Sequence, residues 1–327
     1  VRPLAEEDVG RLARALRAPD LSGTRFLLLR EIGHGGMGSV WEAKDPELAR
    51  VVAVKVLDLP DDSGDLAARL RLEARVLARL EHPGIVPVHD VGSLPDGRPF
   101  YAMKLVRGER LDAAAARLGT LPEKLRLFLR VCEPVAFAHA RGVVHRDLKP
   151  DNVMVGPFGE VLVLDWGIAR VISDVGLERS GRGGANPAGE TAQKAPPAAG
   201  TAAGSVLGTP GFMAPEQARG EDGVDHRADV FALGALLAAL VGEAVPANRR
   251  LAAIVARATA ARPDERYPNV PCIAADVTRL LDGEPVTAYR ERSWERAVRF
   301  AARYRVALLL VAAYLTARAA ILLVYGR

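Results

Sequence analysis

Residues 143–167 read VVHRDLKPDNVMVGPFGEVLVLDWG. Apolar pairs and runs (VV, VMV, VLVL) alternate with polar loops, a pattern of loop, short strand, turn and strand. Asp147, Lys149 and Asn152 fall within six positions, and Asp165 closes the last strand-like run. Such a hairpin beside a loop brings two carboxylates, an ammonium and an amide towards one place.

The flanks show what this stretch is built into. On the N-terminal side FLLLREIG (26–33), SVWEAKD (39–45) and VVAVKVLDL (51–59) read as three strands joined by tight turns. Residues 65–80 carry Leu66, Leu70, Val76, Leu77 and Leu80 at helical spacing. IVPVHDVG (85–92) and RPFYAMKLV (98–106) are two further strands, and after Gly108 the chain is mainly helical, as at 122–140. The fold class is therefore α+β, with a β-rich front lobe and a helical back lobe. No internal repeat is present.

Composition bounds the function. The chain has 327 residues, 49% of them hydrophobic, enough for about two domains or lobes. A net charge of +4 gives no argument for nucleic acid as a partner. Arginine far outnumbers lysine, and the six lysines are Lys44, Lys55, Lys104, Lys124, Lys149 and Lys194. Cys132 and Cys272 lie far apart with no CxxC, so neither a disulfide framework nor a zinc site is expected. The remaining histidines, His34, His82, His89, His139 and His226, show no metal-ligand spacing.

Three segments differ in character. The opening VRPLAEEDVGRLARAL has no apolar run of a secretory signal, and residues 5–18 read as a short amphipathic helix with Leu12 and Leu16 on one face. Residues 173–205 are rich in Gly, Ala, Pro and Ser and are expected to be disordered, because they offer little apolar surface to bury. Residues 306–325, VALLLVAAYLTARAAILLVY, have the length of one bilayer crossing, and Arg299, Arg303 and Arg305 precede them. Arg318 opposes insertion by about 2.5–3.5 kcal/mol. The reading is a single-pass anchor in the inner membrane, with the main body on the cytoplasmic side.

Gly33-His34-Gly35-Gly36-Met37-Gly38 fits GxGxxG, a weak signal alone. It lies between two strands instead of opening a helix. That context argues against a dinucleotide oxidoreductase and for a glycine hairpin able to close over phosphates. Lys55 in VAVK follows on the next strand, and Glu73 on the following helix could hold that lysine in position.

Taken together, the series resembles the protein kinase family. GxGxxGxV spans Gly33 to Val40, the VAIK-type lysine is Lys55, HRDLKPxN runs from His145 to Asn152, the DFG position reads Asp165-Trp166-Gly167, and APE is Ala214-Pro215-Glu216. The resemblance covers about residues 26–283. GGMGSV, HPGIV and GTPGFMAPEQ are most similar to bacterial Hanks-type serine/threonine kinases.

This resemblance implies a two-lobed fold binding ATP and Mg²⁺ in the cleft. The N-lobe would span 26–105 and the C-lobe 106–283, with 1–25 an N-terminal extension and 284–305 a basic juxtamembrane linker. By the same resemblance Asp147 orients the acceptor hydroxyl, Lys149 neutralises the moving phosphoryl group, and Asn152 and Asp165 hold Mg²⁺. Lys55, steadied by Glu73, holds the α- and β-phosphates. Met103 is the gatekeeper, Lys104 to Val106 form the hinge, and Ala53 and Met154 enclose the adenine. Asp229 braces the catalytic loop, Arg266 pairs with Glu216, and Arg146 can bind a phosphorylated residue of the activation segment. Thr201 or Ser205 is the expected autophosphorylation site, with Thr209 near the acceptor, and a homodimer would allow the reaction in trans. The expected substrates are proteins with Ser or Thr acceptors, and Asp151 would favour basic residues near the acceptor. The alternative is a nucleotide-binding pseudokinase acting as a scaffold.

Three departures from the family bear on this, one being the unusual length of the segment between Asp165 and Glu216, whose excess reads as a disordered insertion. Trp166 stands in place of the usual Phe. After ALGALLAALVGE the chain runs almost at once into VPANRRLAAIVARATAARPDERY, without room for the helix that often docks protein substrates.

Overall fold

A computed structural model describes residues 18–35, 38–57, 65–166, 170–171, 211–221, 223–291, 304 and 309–318. Gly36, Met37, Gly167, the segment 172–210 with Thr201, Ser205 and Thr209, and the expected N-terminal helix lie outside the described residues.

Five antiparallel strands form the front lobe: β1 (Leu27–Gly35), β2 (Gly38–Asp45), β3 (Arg50–Val56), β4 (Val88–Ser93) and β5 (Pro99–Lys104), in the order β1-β2-β3-β5-β4. Alternation along the strands gives the sheet two buried faces of different chemistry. Val52, Val54, Phe100 and Ala102 join Phe26 and Trp41 in an apolar cluster on one side. Ala53, Lys55, Tyr101 and Met103, one residue out of phase, take the other. In register, Ala53 stands opposite Met103 and Lys55 opposite Tyr101. The helix α1 (Asp65–Arg79) buries Leu70, Ala74 and Leu77, together with one carboxylate, Glu73.

The back lobe is helical: α2 (Leu111–Arg117), α3 (Leu121–Ala140), α4 (Pro215–Ala218), α5 (Arg227–Val241), α6 (Ala244–Ala247), α7 (Arg249–Ala258) and α8 (Val270–Leu281). Thr120 and Glu123 form a reciprocal capping box that starts α3. α5 is apolar almost all round, as a central helix must be. Gly234 lets it meet α7 closely, since a Cβ there would lie 2.5 Å from the Ala258 Cβ. Between α5 and α7 stands only the single turn of α6, matching the short connection read in the sequence.

Small β elements lie between the lobes. β6 (Glu109–Arg110), β8 (Val153–Val155) and β9 (Val161–Val163) form one sheet, and β7 (Val143–Val144) pairs with β10 (Arg170–Val171). Residues 145–152 therefore leave one strand and enter another, which pins both ends of the loop. Among the described residues no helix is long and apolar enough to cross a membrane, and of the tail only 304 and an exposed helical stretch, 309–318, are described.

Candidate active site

A cleft of about 840 Å³ separates the lobes. Gly33, Val40 and Ala53 line it from the sheet, Met103 to Val106 from the connection between lobes, and Met154 and Asp165 from the helical side. Gly38 is the one described glycine of the hairpin whose backbone demands glycine. Its φ is +137°, and a Cβ would lie 2.1 Å from the Val56 carbonyl oxygen.

Lys55 sits at the back of this cleft, buried to 6% exposure. Its Nζ donates to Glu73 Oε1 and Oε2 at 3.0 and 3.1 Å and to Asp165 Oδ1 at 3.0 Å. Strand, helix and lobe junction thus meet at one ammonium. The Tyr101 hydroxyl donates to Glu73 Oε1 at 2.9 Å, so the buried carboxylate has a second partner. Burial works against the charge on Lys55, but Glu73 and Asp165 outweigh it and raise its pKa. For Asp165, loss of solvation is likewise overcome by Lys55, and its carboxyl is held below the ordinary range. Tyr101 was legible only as a strand residue. Its partner position opposite Lys55 is the signal that identifies it.

The loop 145–152 is organised around two acceptors. Asp229, fully buried on α5, accepts from the backbone N–H of His145 at 2.8 Å and of Arg146 at 2.8 Å, and from His139 Nε2 at 2.7 Å. Burial opposes its charge, yet these donors hold its pKa below the usual value. Arg146 and Asp165 have φ of +70° and +55°, a left-handed conformation that costs a non-glycine residue about 1–3 kcal/mol. The two bonds to Asp229 fix the first of these strained residues. His145 Nε2 is 2.9 Å from the Leu164 carbonyl, which can only accept, so Nε2 carries the proton. Nδ1 then accepts the Asp147 N–H at 3.2 Å.

Asp147 Oδ2 accepts from Asn152 Nδ2 at 3.0 Å and faces Lys149 Nζ at 3.0 Å. Asn152 Nδ2 also donates to the Asp147 carbonyl at 2.7 Å. Both bonds use the Asn152 amide nitrogen and leave its Oδ1 without a protein donor among the described residues. Among the described residues no group of three or more His, Cys, Asp or Glu could hold a metal. Mg²⁺ shared between a carboxylate, an amide oxygen and phosphates needs no such cage, and this donor set fits it.

Supporting contacts reach further. Arg266 Nη1 and Nη2 grip Glu216 Oε1 and Oε2 at 2.6 and 2.7 Å, both residues buried. Gln217 Nε2 donates to the Arg146 carbonyl at 2.9 Å, tying α4 to the loop. Arg146 Nη2 donates to the Val224 carbonyl at 2.6 Å. Trp166 is 1% exposed, donates Nε1–H to the Val163 carbonyl at 3.3 Å and lies 4.6 Å from the His145 ring. The indole is accommodated in the core beside Asp165. Asp151 is paired with Arg110 at 2.5 Å, a contact the sequence did not announce. His139, unremarkable by spacing, and Gln217 were missed because their partners are 90 and 71 residues distant.

A profile described as Protein kinase domain matches residues 26–284. The chain belongs to the protein kinase domain family. This kinase domain is 33% identical over 310 residues to the serine/threonine-protein kinase PknD of Chlamydia caviae, covering 80% of the chain and 32% of that relative. It is 40% identical over 221 residues to PknA of Mycobacterium tuberculosis, covering 65% of the chain and 46% of PknA. Against PknB of the same organism it is 34% identical over 307 residues, covering 84% and 45%. The chain thus spans a third to a half of the length of these relatives. Among solved structures, a crystal structure of the M. tuberculosis PknI kinase domain superposes with a TM-score of 0.56 at 25% identity, covering 79% of the chain and 96% of that structure.

Proposed function

We propose that the chain is a protein serine/threonine kinase that transfers the γ-phosphate of ATP to protein hydroxyls. The observation that carries this reading is the Lys55–Glu73–Asp165 cluster, whose Asp165 lines a nucleotide-sized cleft, together with the mutually bonded Asp147–Lys149–Asn152 loop. Ala53, Val40 and Met154 would enclose a flat base, and backbone groups from Lys104 to Val106 would read its edge. Lys55 would move from Asp165 onto phosphate oxygens while Glu73 and Tyr101 keep it in place.

Asn152 Oδ1 and Asp165 would hold Mg²⁺, which neutralises phosphate charge when bound. Asp147 Oδ1, with no protein partner among the described residues, would accept the acceptor's proton. Lys149, held by the other oxygen of that carboxylate, would meet the charge on the transferred group. Lys149 in this position supports Ser or Thr as acceptor.

Autophosphorylation is assigned to Thr201 or Ser205, in trans between two copies, with Thr209 near the acceptor. The apolar run 306–325, preceded by its arginines, supports a single-pass anchor with the kinase domain facing the cytoplasm. Carbonate extraction of membranes tests the anchor: release into the wash would remove it.

Incubation of the full chain with γ-labelled ATP and Mg²⁺, followed by phosphoamino-acid analysis, tests the reaction. Label on serine or threonine is expected. Bound nucleotide without any label would instead point to a scaffold.

A further inference from the structure

Beyond the hinge a second cavity, of about 760 Å³, opens on the flank of the helical lobe. It shares only Arg107 and Gly108 with the nucleotide cleft. Three elements wall it: the end of α2, the first turns of α3 and the turn between β8 and β9. Its floor is apolar, from Ala114, Leu118, Leu127 and Val155. Its rim is cationic, with Arg107, Arg117, Arg126 and Arg130 against Glu109 and Glu123.

The carboxylates are already engaged. Glu109 pairs with Arg117. Glu123 accepts from the backbone N–H and the hydroxyl of Thr120 at 3.0 and 2.8 Å. Arg107 has Glu42 at 3.9 Å. Arg126 and Arg130 stand one turn apart on the same face of α3, where like charges repel. Among the described residues neither has a carboxylate within ion-pair distance. The Arg130 guanidinium runs along the turn at Gly159, where a Cβ would lie 3.2 Å from Nη1. On the same turn Phe158 holds its ring in water at 95% exposure.

A lone phosphate would use the rim and leave the floor empty. A peptide bearing both carboxylates and apolar side chains would use the whole groove, and Phe158 would cover it at the edge. We propose that this groove docks an acidic, leucine-containing segment of a protein substrate, at a distance from its acceptor hydroxyl. Docking stands on the groove alone, and its use in recruiting substrates rests on the kinase reading.

Fluorescence anisotropy with the full chain tests it, using a labelled peptide EDLLEEDLLE and its counterpart KRLLKKRLLK. The acidic peptide is expected to bind and the basic one not to. In R126E/R130E the affinity should fall by about tenfold or more, and in R126A/R130A by less, as for charges at an interface rim. Fused through a flexible linker to a serine peptide, the acidic segment should lower KM in the natural protein but not in R126E/R130E, with kcat on the short serine peptide unchanged. Equal binding by the natural and reversed proteins, or equal affinity for the basic peptide, would overturn the proposal. So would displacement by inorganic phosphate but not by chloride at matched ionic strength, which would make the groove a phosphate site. Self-association of the chain that R126E/R130E abolishes would assign the groove to a second copy instead. Peptide binding without phosphate transfer would leave docking intact and remove the kinase reading alone.

Discussion

The two walls of the nucleotide cleft are both polar, yet they are held in opposite ways. On the helical side the loop 145–152 hangs from Asp229, and α4 is locked by Glu216 and Arg266. These groups are buried, multiply bonded and have no contact with the cleft itself. On the sheet side Lys55 reaches across to Asp165, whose side chain is 54% exposed. That contact is made of the same charges that a phosphate group would engage. The first set is built into the fold, whereas in the proposed reaction the second would exchange a carboxylate partner for phosphate oxygens. A rigid acceptor side and an exchangeable nucleotide side suit a reaction governed by positioning and charge.

The contrast is broken most strongly at Glu216–Arg266. Arg266→Ala leaves a buried carboxylate unpaired and should lower stability by about 3–5 kcal/mol, read from denaturant midpoints. Replacing both residues with apolar ones of similar size should cost less than the single change. If the double variant were the less stable, the buried pair would not be acting as a unit.

Asp229→Asn comes next. An amide nitrogen would face one of the three donors, at a cost of about 1–3 kcal/mol. The pH dependence sharpens the point. The folded pKa of Asp229 is depressed, so its contribution is complete above the ordinary aspartate value of about 3.9 and drains away as pH falls through the lower, folded value. The stability gap between the natural protein and Asp229→Asn should therefore close on acidification. A gap that widened in acid would mean that Asp229 is protonated in the fold.

The smallest effect is expected at Arg110. Its exposed pair with Asp151 contributes at most about 1 kcal/mol to stability. It nevertheless cancels the charge through which Asp151 was expected to attract basic residues. Arg110→Ala should leave the midpoint nearly unchanged and raise kcat/KM for peptides with arginine near the acceptor. An unchanged peptide preference would show that Asp151 does not face the substrate.

Linear motifs made the acceptor side legible. Asp147, Lys149 and Asn152 are close in sequence because one short loop must converge them, and the strands and helices around them follow from periodicity. Long-range partners were less visible. Tyr101 looked like one aromatic among strand residues until β5 was set beside β3. Gln217 serves a backbone carbonyl of the loop and His139 the Asp229 carboxylate 90 residues away, and neither contact leaves a mark in local side-chain patterns. Arg110 altered the reading of Asp151 through an ion pair that spans 41 positions and that neither residue's own setting announces.

The most direct test separates binding from transfer in one protein. Asp147→Asn keeps an oxygen to accept from Asn152 and leaves Lys55, Glu73 and Asp165 untouched. ATP·Mg²⁺ affinity by calorimetry should stay within about twofold, while the rate of labelled phosphate transfer should fall by about a hundredfold or more. Transfer that persisted in Asp147→Asn would contradict the account and place the chemistry elsewhere.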